Sequence, residues 1–185
     1  MSPAAADRTA VPSVGPAGGA QSSDVDRWSV AMSAVYGEGP ARLAPRGPER
    51  GTVVAVVLTW RGRVGLFKRS RHVGHDAGLW HCVTGFVDDG NSPQAQALRE
   101  LFEETGVTVA ELTGFRTGPV LDLADARGGV WRVHTFQAET ERRRLRLNWE
   151  HDSYRWVRTR FLTRYDGQVP WLREVLNAVV TQAHR

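Results

Sequence analysis

One segment leaves the chain little choice of local structure. Ser92 suits a helix N-cap, Pro93 the first helical position, and Gly106 the left-handed residue that ends a helix. These signals predict a helix over residues 93–105. Its C-terminal half reads Arg99-Glu100-Leu101-Phe102-Glu103-Glu104-Thr105. At 3.6 residues per turn, Glu103 and Glu104 lie about 60° and 40° around the axis from Glu100, so all three project from one face. Like charges at these spacings weaken a helix by roughly a few tenths of a kcal/mol per pair. Negative charge is also least favoured in the C-terminal half. A hard divalent cation would reverse both penalties, and Mg²⁺ combines one or two carboxylates with substrate phosphates. A solvated acidic face is the plainer account of three glutamates alone; the surrounding pattern decides.

The rest of the chain supplies a core for this helix. Hydrophobic residues make up 41% of 185 residues, enough for one ordinary domain with length to spare. Val53 to Trp60 (VVAVVLTW) is a β-branched run that reads as a buried strand. Arg61-Gly62-Arg63 is a turn, and Val64 to Lys68 completes a hairpin. A polar loop, Ser70 to Gly78, precedes a short strand from Trp80 to Val83. Further strands are expected at Val130–Ala138 and Tyr154–Val157. A last helix begins near Pro170, with Leu172, Val175, Leu176, Val179 and Val180 facing inward. Residues 1–23 are small and proline-rich and read as a disordered tail; residues 24–50 read as a short helix and linker, and residues 51–185 as the folded domain. The expected class is α/β, a mixed sheet covered by helices.

Several classes are excluded. No apolar run approaches the roughly 18 residues of a membrane span, and no basic patch followed by an apolar stretch marks a secretory signal. Cys82 is the sole cysteine, which rules out an internal disulfide and a cysteine-based zinc site and points to a cytoplasmic setting. The net charge of +4 is too small to imply nucleic-acid binding by itself.

The segment Gly85-FVDDG-Asn91-SPQAQAL-Arg99-Glu100-Leu101-Phe102-Glu103-Glu104-Thr105-Gly106-Val107 resembles the signature of the Nudix hydrolases, G-x5-E-x7-R-E-U-x-E-E-x-G-U, where U is a bulky aliphatic residue. Eight of the nine specified positions match at the correct spacing, on a loop–helix–loop opened by a proper cap. Asn91 stands where the family has its first glutamate; Asp88 and Asp89 lie just upstream. Looser similarity covers roughly residues 50–180.

The resemblance implies an α/β/α fold, with a mixed sheet sandwiched between helices. It also implies metal-dependent cleavage of a pyrophosphate bond, by water, in a nucleoside diphosphate-linked or related polyphosphate substrate. Glu100, Glu103 and Glu104 would hold Mg²⁺ or Mn²⁺, one of them could accept the water's proton, and Arg99 would orient a glutamate. Glu150 is the candidate for a fourth ligand or base from a later loop, with Asp152 beside it. Gly85 would allow close approach near the phosphates, Arg69 and Arg71 could meet them, and Phe86, Trp80 and Trp149 could stack on a base. Arg142-Arg143-Arg144 and Arg146 are expected to form a solvated strand edge, and Cys82 to be a core thiol. His72, His75, His81 and His134 have no defensible metal-ligand spacing. The expected partner is a diphosphate-containing small molecule, with no membrane. A homodimer would use the residue 24–37 helix or an exposed strand. The alternatives are a nucleotide-binding or regulatory module that has lost activity, favoured only by Asn91, and an isopentenyl diphosphate isomerase, suggested only by Cys82.

Overall fold

A computed structural model describes residues 49–74, 76–124 and 129–180. The expected tail and the residue 24–37 helix lie outside them. Strand β1 (Glu49–Trp60) is the hub of a seven-stranded sheet. One of its edges is shared by β2 (Arg63–Arg69), which pairs at Thr59 and Trp60, and β4 (Val83–Phe86), which pairs from Val53 to Val56. Its other edge pairs in parallel with β6 (Val130–Thr140), which pairs antiparallel with β5 (Leu112–Ala124). Two-residue β3 (Trp80–His81) and β7 (His151–Val157) both pair with β2.

The uninterrupted apolar run of β1 reflects a strand covered on both faces. Val53, Ala55 and Val57 face helix α2 (Leu172–Val180) and pack with Trp171, Leu172, Val175, Leu176 and Val179. Val54, Val56 and Leu58 face helix α1 (Pro93–Thr105) and pack with Ala97 and Leu101. Period-two alternation thus divides one strand between two cores. The fold is the expected mixed sheet between helices. Cys82 lies in the α2-side core, fully buried, and burial pushes its thiol up.

The element bounds differ in several places; β1 begins at Glu49 rather than Val53, and β6 runs on to Thr140. Sequence reading leaves residues 112–124 unassigned, yet they form the longest strand among the described residues. Gly114, Gly118 and Pro119 mask it, and the structure absorbs them in register shifts between Leu112 and Gly114 and between Thr117 and Val120. Trp80 to Val83 is split at Cys82 into β3 and β4. β7 begins three residues before Tyr154. Residues 142–150 form a connecting loop with no strand, so Arg142 to Arg146 do not edge the sheet. Instead Arg142 pairs with both carboxylate oxygens of Glu111, at 2.9 and 3.0 Å, and donates to the Gly106 carbonyl.

Candidate active site

Helix α1 begins as expected: the Ser92 hydroxyl accepts from Ala95 N–H at 3.1 Å. It ends at Gly106, whose φ of 69° is left-handed and whose N–H donates to the Phe102 carbonyl. The helix lies against β4, and its three glutamates reach water to very different degrees. The Glu103 side chain is 36% exposed, Glu100 13% and Glu104 2%. Glu104 shares its face with Ala97 and Leu101 and so enters the protein.

Each carboxylate has its own support. Glu104 Oε1 accepts from Thr84 N–H at 3.2 Å. Its Oε2 is buried without a hydrogen bond, 3.5 Å from His151 Nε2. Glu100 Oε1 accepts from Gln96 Nε2 at 2.7 Å, and Gln96 Oε1 accepts from Asn91 Nδ2 at 3.0 Å. Asn91 therefore steers Glu100 through a buried amide but adds no charge. Arg99 is hydrogen-bonded to Asp88 and lies 3.8 Å from Glu103 and 4.0 Å from Glu100. Gly85 faces Glu100 directly: a Cβ there would sit 2.1 Å from Glu100 Cδ, so a side chain at this position would displace the carboxylate.

The electrostatics follow from crowding. Burial, then the charges of Glu150 and Glu100, hold the Glu104 carboxyl well above the usual range; the Thr84 bond and the Arg69 cation oppose this. Burial raises Glu100 to about 7, and the charges of Glu103 and Glu150 add to it against Gln96 and Arg99. Glu150, itself buried at the start of β7, thus acts on both helix glutamates from the far loop. Among the described residues, no three acidic, histidine or cysteine side chains already converge as a metal cage. The cluster nevertheless offers carboxylate oxygens, one of them buried without a partner, and that donor set fits a hard divalent cation.

Sequence reasoning missed a buried histidine pair beside Glu104. His81 Nε2 and His151 Nε2 are 2.8 Å apart, and the ring centroids are 4.9 Å apart. The nitrogens lie closer than the centroids by nearly two ring radii, so the rings meet edge to edge as in an N–H···N bond. Glu150 N–H donates to Asn148 Oδ1 at 3.1 Å, which identifies that atom as an acceptor. His151 Nδ1 lies 3.2 Å from the same oxygen and therefore carries the proton. His151 Nε2 then accepts from His81. Burial and the Arg69 charge lower both rings, His151 to about 3, so the pair is neutral. The Glu150-His151 dipeptide is its only sequence signal; the partner is 70 residues away.

The other expected site residues divide between the two faces. Arg69 is buried at the end of β2, where its charge reaches Glu104 and both histidines. Trp149 is 52% exposed beside Glu150, and Arg71 is exposed on the loop after β2. Trp80 and Phe86 lie away from the carboxylates, against the α2-side core: Trp80 meets Tyr165 edge-on at 5.8 Å, and Phe86 meets Trp131 at 6.0 Å.

The family model of the NUDIX domain matches residues 48–179. An RNA pyrophosphohydrolase of Gluconacetobacter diazotrophicus is 32% identical over 98 residues, 48% of this chain and 59% of that protein. An RNA pyrophosphohydrolase of Gluconobacter oxydans is 30% identical over 125 residues, 55% of this chain and 74% of that protein. The chain thus spans less than two thirds of the first relative. The crystal structure of the Nudix hydrolase RenU from M. smegmatis aligns over 78% of this chain and 96% of its own, with a TM-score of 0.57 and 23% identity, a likeness of fold.

Proposed function

The chain belongs to the NUDIX domain family, a family of pyrophosphohydrolases, and on that premise we propose that it hydrolyses a pyrophosphate bond in a nucleoside diphosphate-linked or related polyphosphate substrate. The observation that carries this reading is the buried carboxylate cluster. Glu104 keeps an unpaired oxygen out of water while Glu100 and Glu150 add like charge around it. Such an arrangement costs stability in the bare protein and is explained by a cationic ligand. Glu100, Glu103 and Glu104 would hold Mg²⁺ or Mn²⁺, with Glu150 as fourth ligand or general base. Bound there, the cation would neutralise the pyrophosphate and acidify the attacking water.

The chain's own groups supply the positioning. Arg99, hydrogen-bonded to Asp88, holds a cation 3.8 Å from Glu103 and 4.0 Å from Glu100. Gln96 holds Glu100, and Thr84 N–H holds Glu104. The missing side chain at Gly85 keeps space for Glu100. Arg69 balances part of the buried negative charge.

Phosphate or mononucleotide release from a panel of nucleoside diphosphate derivatives, with Mg²⁺ or Mn²⁺, tests the proposal. Turnover should vanish with chelator and fall at least ~100-fold in Glu104→Gln, about 2.7 kcal/mol of barrier. Absence of turnover across the panel, in folded protein that binds the metal, would overturn it. The uncharged Asn91–Gln96 link would then favour a nucleotide-binding module without activity.

A further inference from the structure

We propose that a second cleft, on the same sheet face as the carboxylates, binds a phosphate on the far side of the substrate's ribose. The substrate would then be a nucleotide with a 5′-polyphosphate and a further 3′-phosphate or phosphodiester. This rests on reading the glutamate cluster as a pyrophosphohydrolase site.

The cleft is a cavity of about 540 Å³ between the end of β1, the middle of β7 and the loop before it. Arg63, Arg143, Arg144 and Arg155 line it; Arg155 pairs with Leu66 of the α2-side core, so its side chain leaves β7 on the other face, and its Nη1 donates to the Tyr154 carbonyl at 2.9 Å. None is paired with a carboxylate among the described residues, although their neighbours are: Arg61 with Glu141 and Arg142 with Glu111. The walls are Trp60, Tyr154 and Trp156. The guanidinium carbons of Arg63 and Arg143 lie 5.7 and 5.6 Å from the centre of the Trp60 ring, so cations and ring faces are interleaved. Arginine forks without a carboxylate partner suit phosphate oxygens. Aromatic walls beside a basic groove suit the base of a nucleotide chain.

The cleft is also built in advance. The Arg143 carbonyl accepts from Tyr154 Oη at 3.2 Å and from Trp156 Nε1 at 2.9 Å, and Leu145 N–H donates to Tyr154 Oη at 3.2 Å. These bonds clamp the backbone of the arginine-bearing loop to β7, so less freedom is lost on binding.

Its place relative to the carboxylates follows from a bulge. Lys68 pairs with Ser153 and Arg69 with His151, so Asp152 is an extra residue in β7. The bulge returns Tyr154 to the face of His151 despite their odd spacing. Tyr154 and Trp156 accordingly pack against the α1-side core. Their partners on β2, Phe67 and Gly65, lie two and four residues from Arg69, the partner of His151, roughly 7 and 13 Å along a strand. A base seated between the carboxylates and the cleft would leave its 5′-diphosphate at the glutamates and a second phosphate among the arginines.

The test compares adenosine 5′-diphosphate, adenosine 3′-phosphate 5′-diphosphate and a 5′-diphosphorylated dinucleotide. Binding to the full chain is titrated by tryptophan fluorescence in chelator, and hydrolysis is then followed with Mg²⁺. Both ligands with the additional phosphate should bind at least ~10-fold tighter than adenosine 5′-diphosphate, and their KM should be lower in the same order. The double variant Arg143→Ala/Arg144→Ala, at two exposed positions, should erase that advantage and reduce the salt slope of dinucleotide binding by about 1.4. An unchanged thermal midpoint would show that the variant is folded. Stronger binding of the dinucleotide would assign the second phosphate to a nucleic-acid end; equal binding would assign it to a free nucleotide. Both support the cleft. Equal affinity with and without the second phosphate, an advantage that survives the double variant, or equal competition by a hexaglutamate peptide would overturn it. Tight phosphate-dependent binding with no hydrolysis of any ligand would instead sink the hydrolase reading and leave the cleft standing.

Discussion

Glu100 sits between solvent and core, and its position has a measurable consequence. Burial raises its carboxyl from 4.5 to about 7, so the folded chain holds a proton there that the unfolded chain releases. Stability from this group is therefore highest below about 4.5 and declines as pH rises to about 7, by roughly 3 kcal/mol over the full span. The lowered His81 and His151 give the opposite slope, losing stability as pH falls below 6.5. The difference between wild type and Glu100→Gln isolates the carboxylate. In chelator, the wild-type midpoint in urea should fall relative to the variant between pH 5 and pH 8; parallel profiles would contradict the assignment. Gly85 gives a second test. Gly85→Ala should lower turnover by at least ~10-fold, about 1.4 kcal/mol of barrier, while metal-free unfolding changes little, because the displaced atoms belong to the flexible Glu100 side chain. Activity and melting curves on the same sample decide this. Glu100, Glu103, Glu104 and Gly85 were legible as a constellation because their spacing is local. Gln96, His81 and His151 were not, since a buried amide and two histidines take their meaning from partners on other elements.

Helix α1 shows how far local signals reach. Its caps at Ser92 and Gly106 are the ones expected from residue type. Ser92→Ala should cost about 1 kcal/mol in denaturant unfolding, and the loss should appear whether or not metal is present. Strand β5 shows the converse. Its Gly114, Gly118 and Pro119 argue against a strand taken alone, and its pairing with β6 overrides them. A Cβ at Gly118 would lie 2.5 Å from Thr135 Oγ1 and 2.7 Å from Val179 Cγ1, so this glycine serves close packing where β5 passes β6 and α2.

At the scale of the molecule, β1 couples the two faces. Its even residues support α1 and the carboxylates; its odd residues rest on α2. Leu172, fully buried on the α2 side, should cost about 2–5 kcal/mol as Leu172→Ala. The site lies on the opposite face, so turnover of the fraction that remains folded should be close to wild type. Activity normalised to folded protein by circular dichroism checks this. A large drop in normalised turnover would show that the faces are not separable.

The amino-acid sequence by itself determined the bounds of α1, the burial of β1 and the shared helix face of Glu100, Glu103 and Glu104, because caps, side-chain period and motif spacing act over a few residues. Only the tertiary structure decided how deeply each glutamate is buried, that the charge of Glu150, some 46 residues beyond Glu104, acts on both Glu100 and Glu104, and that Trp80 and Phe86 face the other core. It also turned a run of arginines into a clamped cleft. Burial and charge coupling depend on distances through space, and strand pairing with a bulge set those distances.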